Sequence, residues 1–276
     1  RMRQKRVKTL LRAQKAVAFW WGVRMNNDLN PSLVPGGSCE PAVCATCAVR
    51  NSSLCAVLSS DELDELNKLS RRKSLRPGQI YVFEGDQVSD FANVVKGVAK
   101  LTRGSEDGRM QIVGLLFPSD FIGVSMGLGH GGERKPEEPY TIEAVSDLEL
   151  CIFPRDGFER LMRRFPALEH KLLDRTLSEL QVAREWMVLL GRKTAQERVA
   201  TFILHVADKM RHQGCHSGIS FDLPLGRGDI ADHIGLTIET VSRQITQLKR
   251  KGIIDMQGAR HVVSCDFEAL REQSGY

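Results

Sequence analysis

Seven cysteines lie at positions 39, 44, 47, 55, 151, 215 and 265, and the first four crowd into one short segment. A thiolate is a soft donor, suited to zinc or to iron–sulfur chemistry. Structural zinc favours two Cys-x2-Cys-like pairs, which together orient a tetrahedron. Only Cys44 and Cys47 have that spacing; Cys39 stands four intervening residues before them and Cys55 seven after. The segment is a poor zinc ribbon. An iron–sulfur cluster tolerates irregular loops and can take its fourth thiolate from elsewhere in the fold. Cys151, in the apolar run Leu150-Cys151-Ile152-Phe153, is the distant candidate, although a free cysteine in such a run is commonly just a small core residue. Cys215 and Cys265 read as bystanders. The odd count argues against a disulfide framework and for reduced thiols in a cytoplasmic compartment.

A second pattern with chemical potential runs from Gly228 to Arg243. Two helical stretches meet at Gly235, where a tight turn needs a residue tolerant of positive φ. Thr237 can cap the second helix. Ile238, Val241, Ile245 and Leu248 form its expected buried stripe, and Glu239, Ser242 and Arg243 fall on another face at i, i+3 and i+4. These are the types that read a major groove: Arg grips a guanine edge, Glu accepts from cytosine, Ser bonds either way. Lys249, Arg250 and Lys251 follow, placed for phosphates and for the helix dipole. The alternative is a plain surface helix with a Glu239–Arg243 salt bridge. The hairpin expected after it, Ile253 to Met256, a Gln257-Gly258 turn, then Arg260 to Val263, favours a winged helix-turn-helix.

The elements that must position these groups follow from patterning. Residues 26–60 are loop-like, and Asp61 to Leu69 is a short amphipathic helix. Between 75 and 153, β-rich runs (80–83, 91–101, 110–117 and 141–153) are punctuated by glycines, which predicts an antiparallel jelly-roll or barrel-like unit. His130 to Pro139 reads as an exposed loop. Pro166 opens a long helix ended by Gly191, with a heptad seam at Glu169, Leu173, Thr176, Leu180, Ala183, Met187 and Leu190. A single core helix could show that period. Leu172, Trp186 and Leu189 lie off the seam, so a second apolar face could pack on the chain's own domain while the seam meets a partner helix. Ala195 to Met210 is helical, and Arg211 to Gly218 a loop.

With 276 residues, 42% hydrophobic and 26% charged, the chain has room for two modest domains. Its net charge of +5 is compatible with nucleic acid. No apolar run approaches the ~20 residues of a membrane span, and no dinucleotide fingerprint or substrate-pocket signature marks an enzyme. The first 24 residues are basic and carry the short apolar stretch Ala16 to Val23. This faintly suggests a signal core, but no small-residue cleavage site follows; translation is expected to begin at Met25.

Together these features resemble the FNR-type, oxygen-sensing branch of the CRP/FNR family, in its FnrN/FnrL-like subgroup. The resemblance covers about residues 39–272. It rests on Ile238-Glu239-Thr240-Val241-Ser242-Arg243, on Leu189 to Arg198 at the join between dimer helix and DNA domain, on Cys44-x2-Cys47-x7-Cys55, and on Leu150-Cys151-Ile152-Phe153-Pro154. It implies an α+β fold. Residues 1–24 are an extension, 25–60 a cysteine-rich segment, 61–165 a β-roll sensor (a double-stranded jelly-roll), 166–191 a dimerisation helix and 192–276 a winged helix-turn-helix. It further implies a 4Fe–4S cluster on Cys44, Cys47, Cys55 and Cys151, with Cys39 as the extra, non-ligating cysteine. Dimerisation would run through Leu173, Thr176, Leu180, Ala183, Met187 and Leu190. Glu239, Ser242 and Arg243 would read palindromic TTGAT-like half-sites of double-stranded DNA, and RNA polymerase would be a partner. The seven-residue gap before Cys55 is longer than in the best-known pattern of the family. Cyclic-nucleotide receptors of the family need a Gly-Glu and a downstream Arg-Ser or Arg-Thr pair; here Gly123 precedes Val124 and Arg134 precedes Lys135, so no cyclic nucleotide is expected. A zinc- or thiol-switched DNA-binding protein of the same fold is the alternative.

Overall fold

The computed structural model describes residues 44–105, 107–123, 137–211 and 220–275. All of these fall in one compact unit, Ser38–Tyr276. The basic segment 1–24, Cys39, His130, Val124, Arg134, Lys135 and most of the expected 211–218 loop with Cys215 lie outside the described residues.

The cysteine segment contains two 3-10 turns, Cys44–Thr46 and Leu54–Val57, where a plain loop was expected. Helix α1, Ser60–Leu69, starts with a reciprocal capping box between Ser59 and Glu62 and buries Leu63 and Leu66. Eight strands follow: β1 Arg71–Leu75, β2 Ile80–Val82, β3 Asp90–Lys96, β4 Ala99–Gly104, β5 Met110–Leu116, β6 Phe121–Ile122, β7 Thr141–Ala144 and β8 Leu148–Pro154. They form two antiparallel four-stranded sheets, β1-β8-β3-β6 and β2-β7-β4-β5. This is the β-roll expected for the sensor.

Two of the expected runs are each split in two. Residues 91–101 break at Gly97, whose φ of +83° suits glycine and where a Cβ would collide with the Asp147 carbonyl. Residues 141–153 break at 145–147. Strand β1 escaped sequence reading because Arg71-Arg72-Lys73 carries no apolar alternation; its ladder with β8 holds it in place.

The period-2 alternation of β8 sorts its side chains between two cores. Leu148, Leu150 and Ile152 join Leu75, Ala92, Val94 and Ile142 between the sheets. Cys151 and Phe153 point the other way, into a core with Phe91, Phe121, α1 and the cysteine segment. Helix α2, Arg155–Arg164, unanticipated from the sequence, closes that core with Phe158 and Leu161. Phe158 is 1% exposed and meets the rings of Phe91, Phe121 and Phe153. Phe158→Ala is expected to cost about 3–5 kcal/mol in a urea unfolding series; a loss under about 1 kcal/mol would show that this core can collapse around the gap.

Helix α3, Pro166–Arg192, runs one residue past Gly191. It is followed by α4 Ala195–Arg211, β9 Phe221–Asp222, α5 Arg227–Ile234, α6 Ile238–Arg250, β10 Ile254–Gln257, β11 His261–Cys265 and α7 Phe267–Gln273. The order β10-β11-β9 makes a three-stranded wing sheet. Helix α3 does have two faces. Leu168 and Leu172 enter the sensor core. Leu189 and Trp186 join a core shared by the C-terminal domain and Val98, Ile112 and Phe117 of the roll.

Candidate metal centre and nucleic-acid interface

The four cysteines singled out from the sequence do come together. Cys44, Cys47, Cys55 and Cys151 line one cavity of ≈ 10 Å³, with Arg50, Leu63, Arg72, Asn93 and Phe153. That is room for about one water. Among the described residues all five cysteines are free, and no three His, Cys, Asp or Glu side chains are set to hold a metal ion.

The donors come from three places. Cys44 starts the first 3-10 turn and points its thiol at Asn67 Oδ1 on α1, 3.3 Å away. Cys47 follows that turn and accepts from Arg72 Nη2 at 3.3 Å. Cys55 lies in the second turn, whose Ser53 cap accepts from the Cys55 N–H. Cys151 is fixed in a strand buried on both faces. Burial pushes the thiols of Cys44 and Cys55 up, and that of Cys151 up to about 12, while Arg72 opposes the rise at Cys44 and Cys151. Cys265 sits instead in the C-terminal core.

The cysteine loop also touches the long helix. Arg175 of α3 donates to the Ser52 carbonyl, and Ser52 shares a 2.6 Å hydrogen bond with Ser119 of the roll. On the seam of that helix Leu173, Leu180, Met187 and Leu190 are exposed, as is Ala183, while Thr176 is half-buried and bonds back to the Leu172 carbonyl. Leu177 and Val188, not singled out from the heptad, widen the apolar strip.

The helix-turn-helix is built as its local signals dictate. Gly235 adopts φ +64°, and Thr237 accepts from the Thr240 N–H to start α6. Arg198 braces the turn by donating to the carbonyls of Lys193, Ile234, Gly235 and Leu190, which ties α3 to the turn. Val241, Ile245 and Leu248 are buried. Ile238 is a correction: expected in that stripe, it is 47% exposed, because the first residue of α6 projects beyond the body of the domain.

Glu239, Ser242 and Arg243 all face solvent. The ion pairs of the described residues do not include Glu239–Arg243; Arg243 bonds Thr240 instead. Arg243, Ser242 and Arg250 line a shallow hollow of ≈ 390 Å³ together with Thr246 and Gln247. Those last two were missed, although one more turn of the same helical period finds them. Of the three basic residues ending α6, Lys249 donates to the Met256 carbonyl in the wing and Lys251 to Gln273 of α7. In this structure both therefore brace their own domain, and Arg250 shares the exposed face.

The roll holds α5 from below. Gln111 of β5 donates to the Asp232 carbonyl at 2.5 Å, Lys100 pairs with Asp229 at 3.1 Å, and the His233 ring bonds the Ile112 carbonyl at 2.9 Å. Trp186 of α3 packs on the rings of His233 and His205. Burial pushes His233 below its usual value and His205 down to about 4. No helix among the described residues is long and apolar enough to cross a membrane.

Comparison with known proteins matches residues 197–273 to the Crp-like helix-turn-helix domain and residues 72–165 to the cyclic nucleotide-binding domain. The transcriptional activator protein FnrL of Cereibacter sphaeroides is 42% identical over 235 residues, 84% of this chain and 92% of that protein. The nitrogen fixation regulation protein FixK of Bradyrhizobium diazoefficiens is 37% identical over 82% of this chain and 91% of its own. Among solved structures, FixK2 from Bradyrhizobium japonicum superposes with a TM-score of 0.64 at 33% identity, covering 74% of this chain and 96% of that one.

Proposed function

The chain belongs to the CRP/FNR family of transcription regulators, and on that premise we propose that it is an oxygen-responsive member working in the cytoplasm as a homodimer. Cys44, Cys47, Cys55 and Cys151 would hold a 4Fe–4S cluster at low oxygen. When bound, such a cluster supplies iron–sulfur bonds that oxygen attacks. The chemistry of the donor set fits: four soft thiols, three from the cysteine segment and one from strand β8, line one cavity, with the half-buried Arg72 beside them. The gap before Cys55 is taken up by the turns between Val49 and Leu58. The match to the cyclic nucleotide-binding domain describes the shape of the roll; in sequence Val124 follows Gly123 in place of the acid and Lys135 follows Arg134 in place of Ser or Thr, so this reading includes no nucleotide.

The observation that carries the proposal is the bond between the cysteine loop and α3. Ser52 is held by Arg175, and Leu168 and Leu172 share a core with Cys44 and Cys55. A rearrangement of the loop therefore moves the helix that bears the exposed seam. The seam pairs two chains, and Arg198 carries the position of α3 to the turn of the DNA reader. Two α6 helices then enter successive major grooves of a palindromic TTGAT-like site. The interface needs only a few kcal/mol of coupling to shift the dimer fraction strongly. RNA polymerase is the expected partner of the DNA-bound dimer.

Anaerobic purification with iron, sulfide and zinc counts, and absorption before and after air, tests the proposal. Stoichiometric zinc without acid-labile sulfide would replace it with a zinc- or thiol-switched regulator. The DNA half has its own test. Arg243→Ala is expected to cost about 1–3 kcal/mol per half-site and to relax preference at one base pair. Glu239→Ala should lose discrimination at a cytosine. Arg250→Ala should weaken all sequences alike and shallow the salt dependence. Lys249 is a poorer phosphate probe, since its loss also removes a wing contact. Uniform weakening by Arg243→Ala across single-base operator variants would remove α6 as the reader.

A further inference from the structure

Arg72 is a cation built into the thiol cavity with a donor left over. In the ladders, Arg72 of β1 stands opposite Cys151 of β8, and Cys151 opposite Asn93 of β3. Directly opposed residues project from the same face of a sheet. The three thus form one row aimed at the helix side of the roll, and all three line the cavity with Cys44, Cys47 and Cys55. Arg72 Nη2 already donates to Cys47 Sγ. Its Nη1 is shielded from solvent and has no hydrogen-bond partner. None of the ion pairs among the described residues involves Arg72.

A guanidinium N–H that is shielded from water and unused is costly unless an acceptor or an anion meets it. The site offers one in its loaded form. Four thiolates outweigh the positive charge of an iron–sulfur core, so the loaded site is an anion in a partly apolar pocket. Net charge and hydrogen bonds to sulfur are what set the potential of such a site. We propose that Arg72 is the charge-compensating positioning residue of the thiol site: Nη2 holds Cys47, and Nη1 supplies a second donor to the anionic sulfur of the loaded site. The inference rests on the iron–sulfur reading given above. Arg50 lines the same cavity and adds charge, but Arg72 is the one anchored by a strand ladder to a thiol-bearing strand.

The test uses the full chain reconstituted anaerobically with iron and sulfide, comparing wild type with Arg72→Gln, Arg72→Lys and Arg71→Gln. Arg71 is exposed and, one residue along the strand, faces the opposite side of the sheet, so its variant removes the same charge from the wrong place. Arg72→Gln should shift the midpoint potential to more negative values, because electron addition loses a neighbouring cation, and should speed bleaching in air several-fold. Arg72→Lys should fall between it and wild type, and Arg71→Gln should match wild type. A cluster that assembles in Arg72→Lys but not in a folded Arg72→Gln would also support the role. Wild-type potential and bleaching rate in Arg72→Gln would overturn it, as would equal shifts from Arg71→Gln, or folded Arg72→Gln and Arg72→Lys that both fail to load. A wild-type chain that takes up no iron and sulfide would sink the cluster reading itself, and this inference with it.

Discussion

Serine at any one of positions 44, 47, 55 or 151 is expected to abolish the air-sensitive visible absorption of the anaerobically purified protein, together with its iron and acid-labile sulfide. The hydroxyl is a harder and less acidic donor than the thiol, and each of the four cysteines meets the same small cavity from a separate backbone position. Cys151 is held in a strand paired on both sides, and Cys265 lies in a different core. Cys265→Ser should therefore keep the absorption, as should Cys39→Ser and Cys215→Ser. The informative comparison is Cys151→Ser. A core-only role for this 7% exposed residue predicts a modest loss of stability with iron and sulfide retained. Retention of both in Cys151→Ser would remove it from the ligand set.

The second large effect is expected at the seam. Leu180→Lys or Met187→Lys should turn an anaerobic dimer into a monomer in sedimentation, with operator binding falling to that of a single half-site. In one chain Leu180 is 44% and Met187 70% exposed, so a lysine there disturbs no core of its own domain. Between two paired helices it would be a desolvated charge without a partner, which is strongly destabilising. Leu172→Lys is the contrast: at 1% exposure inside the sensor core, it should unfold the sensor. An anaerobic dimer that survives both seam substitutions would put the interface on another face of α3.

These two expectations differ in how far residue order alone supports them. The seam is legible because a helix repeats locally, so residues three and four apart share a face whatever the rest of the chain does. The turn at Gly235, the cap at Thr237 and the exposed trio Glu239, Ser242 and Arg243 were legible for the same reason: each depends on neighbours within one or two helical turns. Where the reading overreached, it extended a local period past the point where packing decides. Ile238 continues the apolar stripe in sequence but lies beyond the body that would cover it. Lys249 and Lys251 stay exposed, as residue order suggests, and the fold adds contacts to the wing and α7 that residue order does not announce.

Strand β1 and helix α2 were not legible; three of the five residues of β1 are charged, and the strand is held by its pairing with β8. The cysteine spacing pointed to a thiolate site, and the alternation of Leu148, Leu150 and Ile152 against Cys151 and Phe153 is already present in the order of residues. Which cores those two faces would meet, that the cysteine loop would be tied to α3 through Arg175, and that Arg72 would stand beside Cys151 with a spare donor were decided only by the fold. Each is a contact between residues far apart in the chain. Such contacts follow from ladder register and from which apolar faces find each other, and those depend on the whole set of elements packing at once rather than on any short stretch.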